Sequence, residues 1–502
     1  MIEIDLEKCR GCGFCEQNCP TGAIFVVDHK AVIDKKKCVN CGVCVRVCKF
    51  QSLTMTEQVD GEAVQCGCCP IQCAILPGYH GACRRYVNIN GQLVRSRPLV
   101  TEPAAGTASQ PHLERPLITG VGAGTTYPDS KPAPHIVMDT VDGIDVVTVV
   151  TEAPLSYSGV KVKVDTNFHI GEEGAKVRRD GQIVGMVETE EYGSKMLAIG
   201  GANLLTGKSG FIVARTIVDI CNGERVTLKV DQGAKLELQV GKPPVINGQV
   251  DQKMRVGCGS ATIGMFARQL AEAVDEAIIL DHHVVGLLSE HRAGEEAGLQ
   301  WSGVIPNARK STRGRYFGEH GNGWGGTNIE NPRDAILKVD MNVASPGIKI
   351  LVTETTGRKA ALFTVDAEGN VKEIPLTPKV IEVVDLIKSN CEDARVSAVY
   401  VGGTGGSARA GVCNYPIKLT RAVHAGEAKL TIGGAPTYIM PGGGINFLVD
   451  VEKVVPKAFT WVPTPATVAP VEYTITLDKY REIGGHIEKI VRRKKNGKPA
   501  GD

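Results

Sequence analysis

The chain has no run of about 18 uncharged apolar residues, so no helix that spans a membrane is expected. No export leader is expected either, since Met1-Ile-Glu-Ile-Asp-Leu6 carries acid where such a signal carries positive charge and then an apolar core. A strong charge of either sign is absent. The formal net charge is +2, and no basic face interleaved with aromatics occurs, so nucleic acid is not an expected partner. A dispersed disulfide framework is missing too, because thirteen of the seventeen cysteines lie within the first 83 residues of a 502-residue chain. Thiolates gathered this way need a reducing compartment, and the expectation is cytoplasm in a cell living with little oxygen.

What the chain has instead is a pair of cysteine runs. Cys9-x2-Cys12-x2-Cys15-x3-Cys19-Pro20 is repeated as Cys38-x2-Cys41-x2-Cys44-x3-Cys48. This spacing wraps thiolates around [4Fe-4S] clusters, and in the two-cluster arrangement the fourth cysteine of each run crosses over. Cys9, Cys12, Cys15 and Cys48 are therefore expected to hold one cluster, and Cys38, Cys41, Cys44 and Cys19 the other. A zinc pair would need ligand pairs separated by a longer loop. Lys49 stands where a proline is usual after the fourth cysteine, which predicts a different local turn with the same ligands.

A third group reads Cys66-Gly-Cys68-Cys69-Pro-Ile-Gln-Cys73, followed by Cys83-Arg-Arg-Tyr86. Cys66, Cys69, Cys73 and Cys83 suffice for a third iron-sulfur cluster, with Cys68 surplus or an alternative ligand and zinc as the other use of such a set. Cys221, Cys258, Cys391 and Cys413 are scattered and expected to be small buried apolar residues.

The reading by segments is a two-cluster ferredoxin-like domain at 1–57, a cysteine-rich segment with a third metal centre at 58–97, and a Pro/Gly/Thr/Ser-rich linker at 98–134. A large glycine-rich catalytic domain at 135–470 and a basic tail at 471–502 follow. Valine-rich runs at 135–138, 145–150 and 160–164 predict strands. Helical spacing predicts helices at 263–277, 377–388 and 416–424. The fold class expected is α+β or mixed α/β.

Single electrons from clusters must be paired before they reduce an organic bond, and a flavin (FMN or FAD) is the usual converter. Two glycine-rich turns could cradle its phosphate: Gly257, Gly259, Ser260 and Thr262 before a helix, and Gly403, Thr404, Gly405 and Gly406 after a strand. Asp281-His282-His283 closes an apolar strand, and Glu319-His320 opens Gly321-Asn-Gly-Trp-Gly-Gly-Thr327. A strand end commonly exposes catalytic groups, and imidazole delivers protons near neutral pH, so His282, His283 and His320 are the candidate general acids. A mononuclear metal on these or His291 is the other use of the same residues. Arg309, Arg313 and Arg315 could hold an acidic substrate or a cofactor phosphate through forked hydrogen bonds.

The order of these motifs, with Arg315-Tyr-Phe-Gly318, Gly323-Trp-Gly-Gly-Thr327 and Gly402-Gly-Thr-Gly-Gly406, resembles the 6-hydroxynicotinate reductase family over residues 1 to about 470. The resemblance implies reduction of 6-hydroxynicotinate to 1,4,5,6-tetrahydro-6-oxonicotinate with reduced ferredoxin as the external donor. Clusters near roughly −400 mV suit partial loss of aromaticity. The implied partners are that ferredoxin and a small heteroaromatic acid, with no nucleic acid and no membrane, in a homo-oligomer. Two other readings stay open here: an electron-transfer subunit of a larger complex, and a cyclic-amide hydrolase or isomerase with structural clusters.

Overall fold

Asp5 and Asp34 open the two halves of the N-terminal repeat in the same way. Asp5 Oδ1 accepts from the backbone of Glu7 (3.0 Å) and Lys8 (3.2 Å), and Asp34 Oδ1 from Lys36 (3.0 Å) and Lys37 (3.4 Å). These side-chain turns aim the chain into each cysteine loop. The helices Phe14–Asn18 and Val43–Val47 then start after Gly13 (φ 78°) and Gly42 (φ 73°), left-handed positions that glycine takes without a Cβ clash. Strand Ile2–Ile4 pairs antiparallel with Leu53–Met55, so the repeat closes on itself. Its apolar core is small, with Ile2, Ile24, Ala31 and Leu53 packed around Cys9 and Cys15.

The structure is a computed structural model and describes residues 1–56, 61–67, 71–96, 118–122, 132–133, 135–154, 159–190, 194–254, 258–400, 409–439, 446–450, 454–462 and 466–493. The chain divides into two units: residues 1–160, 199–224 and 398–502, and residues 161–198 and 225–397. Segments of 135–470 contribute to both. The architecture is mixed α/β, and no helix among the described residues is long and apolar enough to cross a membrane.

In the first unit, His135–Val141, Ile144–Pro154, Ala466–Thr476 and Ala428–Ile432 form the centre of a largely antiparallel sheet. Two expectations change here. Ile118–Gly122, inside the expected linker, is a strand paired with Asn446–Asp450. The expected basic tail is ordered as strand through Thr476 and helix at Leu477–Glu482, because Val471, Tyr473, Ile475 and Tyr480 are buried. Its basic residues crowd beyond that packed stretch. The cysteine-rich segment is tied to this unit by Arg85, which is buried and donates to Ala458 O (2.6 Å) and Thr460 Oγ1 (3.2 Å).

In the second unit, the strand Glu276–Asp281 is buried along its whole length, at the heart of a seven-stranded sheet. It pairs parallel with Lys349–Glu354 and antiparallel with Val284–Leu287, which pairs in turn with Arg315–Phe317. Helices Gly259–Ala273 and Pro378–Ser389 cover one face through Ile263, Phe266, Leu270, Val380 and Val384 against Ile279, Leu351 and Leu362. Ile278, Leu280, Val352 and Phe363 fill the other face. A strand covered on both sides reads as the unbroken apolar run Ala277-Ile-Ile-Leu280. The expected helix at 263–277 is shifted to Gly259–Ala273, since Val274 already has extended geometry.

Candidate functional site

Cys9, Cys12, Cys15 and Cys48 line one cavity, with Gly11, Phe14, Ala31 and Leu53. The other four thiols form a second group. Burial, with Cys19 and Cys38 nearby, pushes the Cys41 thiol up to about 11, and burial with Cys41, Cys38 and Cys19 nearby pushes Cys44 up to about 12. Thiolates in such a pocket are stable only beside a cation, which is what iron supplies. Backbone N–H groups already point at sulfur: Ala31 to Cys9 (3.3 Å), Ala23 to Cys19 (3.2 Å) and Ser52 to Cys48 (3.4 Å). The donor set therefore fits two crossed clusters. Lys49 does not alter the turn as expected. Cys19 and Cys48 share nearly the same backbone, φ/ψ −72°/114° and −73°/109°, because each sulfur accepts from the residue four places on. Lys49 Nζ instead sits 4.2 Å from the Phe14 ring centroid.

Cys66, Cys73 and Cys83 come together with Val39, Ile75, Ala82 and Tyr86, and Cys41 of the second cluster group packs against them. Cys68 and Cys69 lie outside the described residues. Cys221, Cys391 and Cys413 are buried as expected, whereas Cys258 is half-buried at the start of a helix.

In the second unit, His282 and His283 form the two-residue turn between Glu276–Asp281 and Val284–Leu287. His282 has φ 53°, a left-handed backbone that is uncommon outside glycine. It is held there by its N–H to Gly325 O (2.6 Å). Gly325 and Gly326 have φ 62° and 82°, and a Cβ on Gly326 would lie 2.6 Å from His282 Nδ1. That close approach is why the Gly323-Trp-Gly-Gly-Thr327 motif carries glycines.

The three histidines do not converge. His282 is fully buried and contacts Lys195 Nζ, which is also fully buried and lies 3.5 Å from Glu190 Oε1. His283 and His320 remain partly open, with rings edge to face at 5.1 Å. His169 stacks on His320 at 5.2 Å and places Nδ1 2.8 Å from Glu190 Oε1. His291 is committed elsewhere: Nδ1 accepts from Ala293 N (3.1 Å) and Nε2 meets Ser260 Oγ at 2.9 Å. A single metal shared by His282, His283, His291 and His320 is therefore not what the geometry offers.

Burial raises the Asp281 carboxyl to about 7, partly opposed by Lys195, and burial lowers Lys195 to about 8 against the pull of Glu190 and Asp281. Because the folded Asp281 holds its proton more tightly than the unfolded chain, its contribution to stability is lost as pH rises from about 4 to about 7. Asp281→Asn is expected to flatten that decline, read as thermal midpoints of both proteins across this range.

Of the expected arginines, only Arg315 joins the histidines. Its guanidinium lies 4.9 Å from the Phe317 ring, which lies 5.2 Å from His283, and its Nε is buried with no hydrogen-bond partner. Arg313 pairs with Glu295, and Arg309 is exposed on the neighbouring strand. Gly259 is required by packing, since a Cβ there would lie 2.9 Å from Ile279 O, and Ser260 is taken by His291. Thr262 is buried in the same helix, with Oγ1 lacking a hydrogen-bond partner. Gly257, Gly403, Thr404, Gly405 and Gly406 lie outside the described residues. Sequence reasoning missed His169, Glu190 and Lys195. The one local signal was a lysine amid the apolar Met196-Leu-Ala-Ile199.

Residues 8–52 match the 4Fe-4S dicluster domain family. The 6-hydroxynicotinate reductase of Eubacterium barkeri is 56% identical to this chain over 493 residues, covering 98% of this chain and 99% of the relative. No solved structure matches. The dicluster match and the eight grouped thiols agree on two [4Fe-4S] clusters, and the likeness makes the chain an iron-sulfur oxidoreductase. Similarity this high along almost the entire length establishes that the chain belongs to the 6-hydroxynicotinate reductase family.

Proposed function

We propose that this chain reduces 6-hydroxynicotinate to 1,4,5,6-tetrahydro-6-oxonicotinate. Two electrons from two reduced ferredoxins and two protons add across one C=C bond of the ring. The observation that carries this reading is the grouping of Arg315, Phe317, His283 and His320 within the second unit. The Arg315 guanidinium offers a cation for the carboxylate, Phe317 an apolar surface for a planar ring, and the partly open imidazoles a proton. His282, buried behind them, supports the turn and does not face the substrate.

The clusters supply one-electron reducing power. Cys66, Cys73 and Cys83, with Cys69, are proposed to hold a third metal centre beside the second cluster. A flavin is the cofactor class that would pair the electrons, to be sought by extraction, and no proton step depends on it. Anaerobic turnover with reduced ferredoxin and 6-hydroxynicotinate tests the reading. Loss of the substrate's ultraviolet band at two ferredoxins per ring is expected, and no consumption of the ring overturns it. Arg315→Met is expected to raise KM about tenfold or more, as loss of a charged hydrogen bond does.

Lys35, Lys36 and Lys37 are exposed beside the second cysteine run, and Lys37 lines an open cavity with His80 and Arg84. This basic face is proposed to steer the acidic donor. Reversing the three lysines to glutamate should slow cluster reduction by ferredoxin on the order of tenfold at low salt and flatten its salt dependence. Stopped-flow bleaching of the clusters reads this directly. Cytoplasm is the proposed location.

A further inference from the structure

Behind the partly open histidines runs a line of ionisable groups, buried at Lys195 and Glu190 and open at Glu172, that the ring-reducing reading does not use. Lys195 Nζ contacts the His282 ring and lies 3.5 Å from Glu190 Oε1. The same oxygen lies 2.8 Å from His169 Nδ1. On its far side, His169 Nε2 is 3.9 Å from Glu172 Oε1, while Glu172 Oε2 is 3.7 Å from His320 Nε2. Glu190 and Lys195 are sealed from solvent, His169 is about one-fifth exposed, and Glu172 stands at the surface.

Burying a lysine and a carboxylate is costly unless their contacts repay it, and this pair is placed end to end with two imidazoles. Glu190 is also fixed by the Ile170 N–H (3.0 Å), and its second oxygen, Oε2, has no hydrogen-bond partner.

We propose that Lys195, Glu190 and His169 form a proton-supply path that reloads His320 during ring reduction. This rests on the reading of His283 and His320 as the face where the ring is reduced. Each turnover consumes two protons with two electrons from ferredoxin, and the first protonation leaves the donor imidazole neutral. A planar acid lying on His283 and His320 covers the ring faces it rests on, so the second proton arrives by way of Glu172, which lies 3.7 Å from His320 Nε2, with His169, Glu190 and Lys195 as the reserve behind it. It passes from Lys195 to Glu190, on to His169, and through Glu172 to His320 Nε2, and the His169 and Glu172 contacts, now at ion-pair distance without hydrogen bonds, close to hydrogen-bond geometry as it moves. The path regains its proton from bulk water after product leaves. These residues act through His320 and are positioning residues for the reaction.

The test uses the full chain with its clusters. His169→Ala, Glu190→Gln and Lys195→Met are compared with wild type for cluster reduction by dithionite, calorimetric binding of 6-hydroxynicotinate to the oxidised protein, kcat and the solvent deuterium isotope effect. Expected are unchanged cluster reduction and binding, a kcat lower on the order of 10²-fold, and an enlarged isotope effect. Added imidazole should restore His169→Ala in a saturable way, and Lys195→Arg should retain more activity than Lys195→Met. Because Glu190 also holds the Ile170 backbone, Glu190→Gln could lose structure, but the partly exposed His169 can be truncated without that burden. Wild-type kcat and isotope effect in His169→Ala, or a loss that imidazole does not restore, overturn the path. Absence of ring turnover by the wild type instead overturns the reduction reading itself.

Discussion

Cys19→Ala is expected to remove the second cluster from its four-iron state and leave the first intact, although Cys19 belongs to the first cysteine run. Cys48→Ala is expected to do the reverse. The crossing follows from the fold: Cys48 lines the cavity of Cys9, Cys12 and Cys15, while Cys19 sits with Cys38, Cys41 and Cys44. A cluster that loses one of four thiolates loses its closed coordination, and a relay missing one station passes no current. Iron and sulfide analysis with low-temperature electron paramagnetic resonance should show roughly half of the dicluster signal in each variant. Turnover with ferredoxin should vanish in both. If the signal retained in Cys19→Ala belongs instead to the cluster held by Cys38, Cys41 and Cys44, the crossed assignment is wrong. Serine in place of alanine could partly hold iron, so alanine is the cleaner probe.

The second large effect is expected at Gly326. A Cβ there would lie 2.1 Å from Asn167 O and 2.6 Å from His282 Nδ1, on a backbone with φ 82°. The left-handed geometry costs a non-glycine residue roughly 1–2 kcal/mol, and forcing atoms into a filled site adds about 1–3 kcal/mol. Gly326→Ala should therefore destabilise the second unit by about 3 kcal/mol, or roughly 6–12 °C in thermal midpoint for a unit of this size. Activity should fall further than stability, because His282 and Lys195 are displaced together. Gly298→Ala is the control: its φ is 92°, but nothing lies within 4 Å of the added carbon. Equal losses at the two positions would mean that backbone strain alone matters and that the packing on His282 does not.

The N-terminal domain was legible because its information is local. Three thiols within seven residues, an aspartate turn before them and a glycine at each helix start specify a loop without help from distant chain. Helices at Pro378–Ser389 and Pro416–His424 were legible for the same reason: each has a proline in its first turn, and their apolar spacing is periodic. The basic tail misled because charge near the end of the chain masked an alternating Val471, Tyr473, Ile475 that pairs into a sheet. The arginine cluster at 309–315 read as one anion site, but alternation along paired strands and an ion pair to Glu295 send its members different ways.

By itself, then, the order of residues determined the grouping of the eight N-terminal thiols, the class of fold and the strand that carries Asp281-His282-His283, because each depends on spacing within one segment. Only the tertiary structure decided which histidines stay open and which is buried. It also decided that His169, Glu190 and Lys195 stand behind them, arriving from strands and loops about a hundred residues earlier in the chain. No periodicity records such a meeting. Side chains far apart in sequence become neighbours through sheet pairing and close glycine packing, and the burial that results lowers the proton affinity of Lys195.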